Sequence, residues 1–508
     1  MAGDSGNGDM GDMSPVPCKG PTDCSATPST PFCGPGGTCV ACLKSTDCTL
    51  ASAPVCTQNK CGGCATSGDC VRFQPTPYCN MGDGACVQCL SSDNCLSSNK
   101  ACDTSTGQCS ACTSNSQCTS DLCCTSGALP NGNPCSSGSC VDPASVVYVS
   151  ASGKSCPVGP GSGTLLDPYC KIADGITAAA TITSKTAVVL AGTYGENLVV
   201  KPMAGVTFTA FAVGIGGPVV APSAAGPALT LDKSLGATQI SVSFDGFTFK
   251  GATSATGHGI SCLGSGTASA TKLVLTHSTV SNNGGIGVSA ATCDVTLNQD
   301  VIGPANLQGG IVLSATDYTL QNLQVAGNGT LDGAAPSSGS DAGGIKIATA
   351  APARKNMVNL TIVANQNSTT NGTPIGVSCS GSPVFFNNVI FGNTNGLPTA
   401  TELNGGCAPE RSAFAAAGMA PFTTGNKNNY STATCMMASE LFTVANGLYK
   451  PKSTIGAPCT MVLQSNSSTA TSLVGAGEPT FMSVNAPSSD LVGSSRANPP
   501  TIGAIEAP

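Results

Sequence analysis

The chain has 508 residues with 30 cysteines, 63 glycines and no tryptophan, and 9% of its residues are charged for a net charge of −7. That length allows more than one domain and a large core. The sparse positive charge excludes nucleic acid and anionic lipid surfaces as partners, since both need clustered Lys and Arg, and no apolar run is long enough for a transmembrane segment.

Residues 1–17, MAGDSGNGDMGDMSPVP, read as a polar tether with no periodic face and no signal peptide. The cysteines that follow imply export to an extracellular or outer-surface location, because dense disulfides persist only where thiols are oxidised. An export signal is then expected to have been removed and a start Met supplied. A Gly/Asp/Ser tether suits a lipoprotein, so a lipid anchor on the native precursor is compatible with this segment.

Residues 18–142 hold 22 of the cysteines in a repeat whose units open at Cys18, Cys42, Cys64, Cys89 and Cys112. Each unit has a second Cys six residues on, and Asp23, Asp47 and Asp69 precede it in the first three. The last unit departs, with adjacent Cys123 and Cys124, then Cys135 and Cys140. Apolar residues are too few for a core, so cross-links must restrict the unfolded chain instead. Two bridges per unit are expected, with the connectivity open. Zinc is the rival for such Cys pairs, disfavoured by the regular spacing and the lack of His. The segment resembles the Cys-rich repeats in front of many bacterial surface proteins, especially myxobacterial ones.

From residue 143 onward Val, Ile, Thr, Gly and Asn dominate, which are strand and turn formers; a short helix is expected near Ile172–Ala180. Two motifs recur. Apolar residues five apart occur at Phe244/Phe249, Leu275/Val280, Leu297/Ile302, Leu320/Val325, Val358/Val363 and Phe385/Ile390, and Asn283, Asn328 and Asn393 follow three of these pairs. Glycine-led strands begin at Gly257, Gly284, Gly309 and Gly343, with a degenerate copy from Pro374. A coil of about two dozen residues cannot bury its apolar face alone, whereas stacked coils bury it continuously. The expected fold class is all-β: a right-handed parallel β-helix over residues 143–508, with the repeated Asn as an interior ladder.

VYVSASGKSC at Val147–Cys156, DPYCKIADGI at Asp167–Ile176 and VVLAGTYGENLVV at Val188–Val200 resemble the opening coils of bacterial secreted right-handed β-helix proteins. Asp490, Gly493 and Arg496, followed by IGAIE at Ile502–Glu506, resemble the closing signature of that group. The resemblance implies pectin-lyase-like architecture and extracellular or surface residence, without implying an enzyme. The other eight cysteines suit sequential bridges: Cys156–Cys170, Cys262–Cys293, Cys379–Cys407 and Cys435–Cys459.

GHGIS at Gly257–Ser261 resembles a polygalacturonase motif. The aspartates that motif needs are not there, since Asp232 and Asp245 are single and wrongly spaced, and Gly344 stands at the Arg position of the companion element. His258 falls where other coils carry Gly284, Gly309 and Gly343, so no catalytic residue is assigned; His277 is expected at an inward or corner position. Aligning the coils gives an outward column Ser241, Lys272, Asp294, Asp317, Lys355, Ser382. Of these, Lys272, Asp294, Asp317 and Lys355 are the candidate binding residues. Asp294 and Asp317 would stand about 5 Å apart on adjacent coils. They read as a charge-balanced ladder, as a calcium site, or as a glycosidase-like carboxylate pair. Otherwise no cofactor is expected. A parallel strip, Asp245, Thr276, Asn298, Gln321 and Asn359, could hydrogen-bond glycan hydroxyls or simply face water. The leading expectation is a non-catalytic protein for glycan binding, adhesion or envelope structure, with a polysaccharide or envelope component as partner. The alternative is a lyase or hydrolase acting on an acidic polysaccharide.

Overall fold

The cysteine units close on themselves. In the computed structural model Cys18 joins Cys33 and Cys24 joins Cys39, and the same first-to-third, second-to-fourth pairing recurs through Cys95–Cys109. The fifth unit joins Cys112 to Cys123 and Cys118 to Cys140. The structure describes residues 17–25, 28–120, 122–124, 136–153, 156, 159–181, 186–200, 207–232, 240–264, 271–329, 343–349, 353–366, 376–393, 402–403, 406–415, 430–432, 442–445, 448–451, 461–463, 469–470, 473 and 476–506. The Cys435–Cys459 pairing lies outside them. Two compact units part between Pro143 and Ala144.

Within each Cys unit the residue before the second Cys caps a 3-10 segment, one turn long except in the fourth unit, where it runs Ser92–Ser98. Asp23, Asp47, Asp69, Asn94 and Gln117 each accept two backbone N–H groups from the residues three and four positions earlier. The residue that opens the turn then reaches across it: Ser45, Ser67, Ser92 and Asn115 accept the backbone N–H of the unit's third Cys. Each unit adds one short antiparallel hairpin, such as Val55–Thr57 with Lys60–Gly62 and Tyr78–Asn80 with Ala85–Val87, and the side-chain oxygens satisfy backbone donors outside that pairing. Neighbouring units are stapled as well. Arg72 donates to the carbonyls of Ser45, Cys48 and Pro54 and lies over the Phe73 ring.

The second unit is a stack of parallel strands forming three walls. The first wall runs Leu198–Val200, Leu229–Asp232, Ile260–Leu263, Val288–Ala291, Ile311–Ser314, Ile345–Thr349 and Val377–Ser378. The second includes Ile240–Asp245, Thr271–Thr276, Asp294–Asn298, Asp317–Gln321, Lys355–Val358 and Val384–Phe386. The third includes Thr248–Lys250, Thr279–Ser281, Val301–Ile302, Gln324–Ala326, Thr361–Val363 and Val389–Phe391. The helix Ile172–Ala179 packs against the opening strands, its Ile172, Ile176 and Ala179 joining the core. The chain is therefore all-β in class, a parallel β-helix preceded by a disulfide-rich, loop-rich region.

The five-residue motif is the corner between the second and third walls. Phe244, Leu275, Leu297, Leu320, Met357 and Phe385 stack in register on one side of it. Phe249, Val280, Ile302, Val325, Ile362 and Ile390 stack on the other. All twelve are buried, which is the apolar burial that holds the coils together. The motif at Val358/Val363 is thereby corrected by one residue, to Met357/Ile362. Between the two stacks the chain turns through a left-handed residue in each coil: Gly246, His277, Gln299, Asn322, Asn359, Asn387 and Arg411. Asn is well represented there because it tolerates that backbone.

Beyond the third wall an amide ladder runs through the interior. Asn283 donates to Asn306, Asn306 to Asn328, Asn328 to Asn365 and Asn365 to Asn393, all at 2.8–2.9 Å, and Asn393 donates to Glu402 at 2.6 Å. Asn306 and Asn365 were not in the expected set: an extra residue at Gly303–Pro304 and the one-residue correction at Ile362 move them off the simple spacing. The glycine-led motif packs on this ladder. A Cβ on Gly287 would meet the Asn306 amide at 2.8 Å, and one on Gly310 would meet Val325 at 2.6 Å and the Gly344 carbonyl at 2.7 Å.

Candidate functional site

The second wall alternates inward apolar and outward polar residues, and its outward face carries the charges. Lys272 pairs in register with Asp294, and Asp294 with Asp317. Lys355 does not continue the column: it pairs with Tyr318, because Met357 rather than Val358 takes the core position. The residue that completes the patch is Arg354, just before the strand. Its guanidinium binds both oxygens of Asp294 across the intervening coil. Asp317 accepts the backbone N–H groups of Ala353 and Arg354, at 2.8 and 3.1 Å. Both carboxylates are thus engaged, one by a cation and one by backbone donors. A calcium ion would have to compete with the guanidinium already bound to Asp294. Among the described residues the groupings of ligand atoms close enough for a metal are cysteine triplets such as Cys42, Cys48 and Cys56, whose sulfurs lie in disulfides. Arg354 escaped sequence reasoning because it sits outside the column's spacing. The bridges Cys156–Cys170, Cys262–Cys293 and Cys379–Cys407 are present along the β-helix.

The neighbouring polar strip runs Asp245, Thr276, Asn298, Gln321 and then Val358, so Asn359 belongs to the corner instead. That corner is largely covered by the chain's own C-terminal segment. Gln299 donates to the Asp490 carbonyl, Asn322 to Ser489, Asn359 to Thr501 and Gly503, and Asn387 to Glu478. The closing signature residues tie this strap. The Asp490 carboxylate accepts the N–H groups of Val492, Ser494 and Glu506. Arg496, almost fully buried, pairs with Glu506 at 3.3 Å and donates to Asn322, Thr501, Gly503 and Ala504. Desolvation pulls its guanidinium below the usual range.

His277 lies at the exposed end of the same corner. Its Nδ1 meets Asp245 Oδ1 at 2.7 Å, and Thr276 donates to the same oxygen. The Asp245 hydrogen bond pushes the imidazole upward against partial desolvation. Buried just behind the corner, Asp300 accepts the Ser278 N–H through Oδ1, while desolvation pushes its carboxyl well above the carboxylate range. This Asp245–His277 pair joins residues 32 apart and was not expected; only the coil register shows it. His258 is a packing residue: its Nδ1 accepts the Ile286 N–H at 3.0 Å. In register it faces Ile286, not Gly284, with Gly309 and Gly343 following.

No family model matches this chain, and no curated protein does. Among solved structures it is similar to pectate lyase Pel9A, at 15% identity over 72% of this chain and 96% of that one, with a TM-score of 0.42. It is also similar to the pectin methylesterase PemA from Erwinia chrysanthemi, at 12% identity over 53% and 78% of the two chains, TM-score 0.22. A pectin methylesterase in complex with hexasaccharide VII matches at 12% identity over 53% and 78%, TM-score 0.20.

Proposed function

We propose that this protein is exported and held at a cell surface, where residues 143–508 serve non-catalytic glycan binding, adhesion or envelope structure and residues 18–142 are a disulfide-braced companion domain. The supporting observation is the use made of Asp294 and Asp317: the first is held by Arg354 and the second by two backbone N–H groups. Carboxylate oxygens so engaged have lone pairs already committed to protein donors. The patch of Lys272, Asp294, Asp317 and Arg354 instead presents fixed donors and acceptors to a polysaccharide or envelope component. Incubation with polygalacturonate, alginate and other acidic glycans, followed by assay for new reducing ends and unsaturated products, tests this reading. We expect none, alongside retention on a glycan array; steady turnover of any glycan would overturn it.

One observation favours a lyase or hydrolase as the second reading. The Asp245–His277 pair puts an imidazole with a carboxylate partner at an exposed corner, an arrangement suited to acid–base work. On that reading His277→Ala abolishes a cleavage that Arg354→Ala leaves intact.

A further inference from the structure

A cavity of about 440 Å³ opens in the Cys-rich unit between the third and fourth repeats, within the size range of small-ligand sites. Three lining residues are held by hydrogen bonds: Gln88 accepts the Cys109 N–H at 3.0 Å, Asn94 caps the adjoining turn, and Ser98 donates to the Cys95 carbonyl. Tyr78, Pro75, Pro77, Ser97 and Lys100 also line it. Among the described lining residues Lys100 is the one charged group, and none is acidic. The bridges Cys64–Cys79 and Cys95–Cys109 anchor the two sides. Gln88, Asn94 and Ser98 are therefore already ordered when a ligand enters, which lowers the entropic cost on their side.

We infer that this cavity binds a uronic-acid unit of an acidic glycan. A lone ammonium selects a single carboxylate rather than a phosphate cluster, which would call for Arg forks or several backbone N–H groups. The hydroxyls of Tyr78 and Ser97 match sugar hydroxyls, and the flat Tyr and Pro rings match the C–H face of a pyranose. An acidic peptide would bring a carboxylate to Lys100 but no pyranose C–H face for the Tyr and Pro rings. The inference rests on the reading of this protein as a glycan binder and adds an acidic-sugar site in the Cys-rich unit.

Calorimetric titration of the full chain with trigalacturonate tests it. Lys100→Gln and Tyr78→Ala should each weaken binding about tenfold or more, Lys100→Arg should stay within about threefold, and full methyl esterification of the ligand should match the loss in Lys100→Gln. Equal affinity in the wild type and Lys100→Gln would overturn the site. Displacement of the sugar by tetraglutamate at equal concentration would overturn the ligand class. Neutral glycans retained on an array with no trigalacturonate binding would sink this inference and leave the proposed function standing.

Discussion

The Asp294 carboxylate is held by the guanidinium of Arg354, 60 residues further along the chain. Arg354→Ala leaves a mostly buried carboxylate facing Asp317 on the next coil without its cation. Stability should fall by roughly 1–2 kcal/mol, measured by urea unfolding. Arg354→Lys should recover only part of the loss, because an ammonium cannot hold both oxygens in a planar fork.

Glu402 terminates the asparagine ladder, and desolvation pushes its carboxyl from 4.5 up to about 7, against the two Asn393 donors that favour the charged form. The folded state therefore holds a proton that the unfolded state releases. Its contribution to stability is complete below pH 4.5 and is lost as pH rises through about 7, a change on the order of 3 kcal/mol. Thermal unfolding across that window should show the decline, and Glu402→Gln should flatten it.

Gly310 packs against both Val325 and the Gly344 carbonyl, so Gly310→Ala has no room for its Cβ. We expect about 1–3 kcal/mol of destabilisation. Gly36, whose Cβ would meet open space, is the control, and Gly36→Ala should be near neutral in the same denaturation assay.

The His277 imidazole is raised by Asp245. Whatever stability the pair adds is present below the unfolded imidazole's pKa and disappears as pH rises through the folded one. Asp245→Asn should move the His277 titration to lower pH, read from its ring protons by NMR. An unchanged titration would mean that the pair does not set the charge of this corner.

Arg496 is buried among carbonyls and Glu506. Arg496→Ala leaves that carboxylate buried and unpaired, a loss of about 3–5 kcal/mol. Hydrogen exchange should rise first at the amides of Asp490, Arg496 and Gly503, before those of the inner strands.

The stacked architecture was legible because its signals are local and repeated: two apolar residues five apart, a glycine-led strand, a recurring Asn. Each follows from one coil's need to bury one side and turn two corners. Legibility failed where a single residue shifts the count. The adjacent apolar pair Met357 and Val358 offered two registers, and the wrong one put Lys355 in the Asp317 column and hid Arg354. The Gly303–Pro304 turn hid Asn306 in the same way. The Cys connectivity was unreadable because several pairings satisfy the same spacing, and backbone geometry chooses among them. The strap was recognisable as a signature, yet its docking on Gln299, Asn322, Asn359 and Asn387 depends on contacts between residues more than 90 apart.

A solenoid stack ordinarily frays from whichever end is weaker, because each layer touches only its neighbours. Here the tail folds back and grips four successive layers through their corner amides. Those layers cannot peel away singly until the tail lets go, so tension applied along the axis is shared among them. Under mechanical pulling this stretch should yield in one large step, as a buckle opens, instead of unwinding turn by turn.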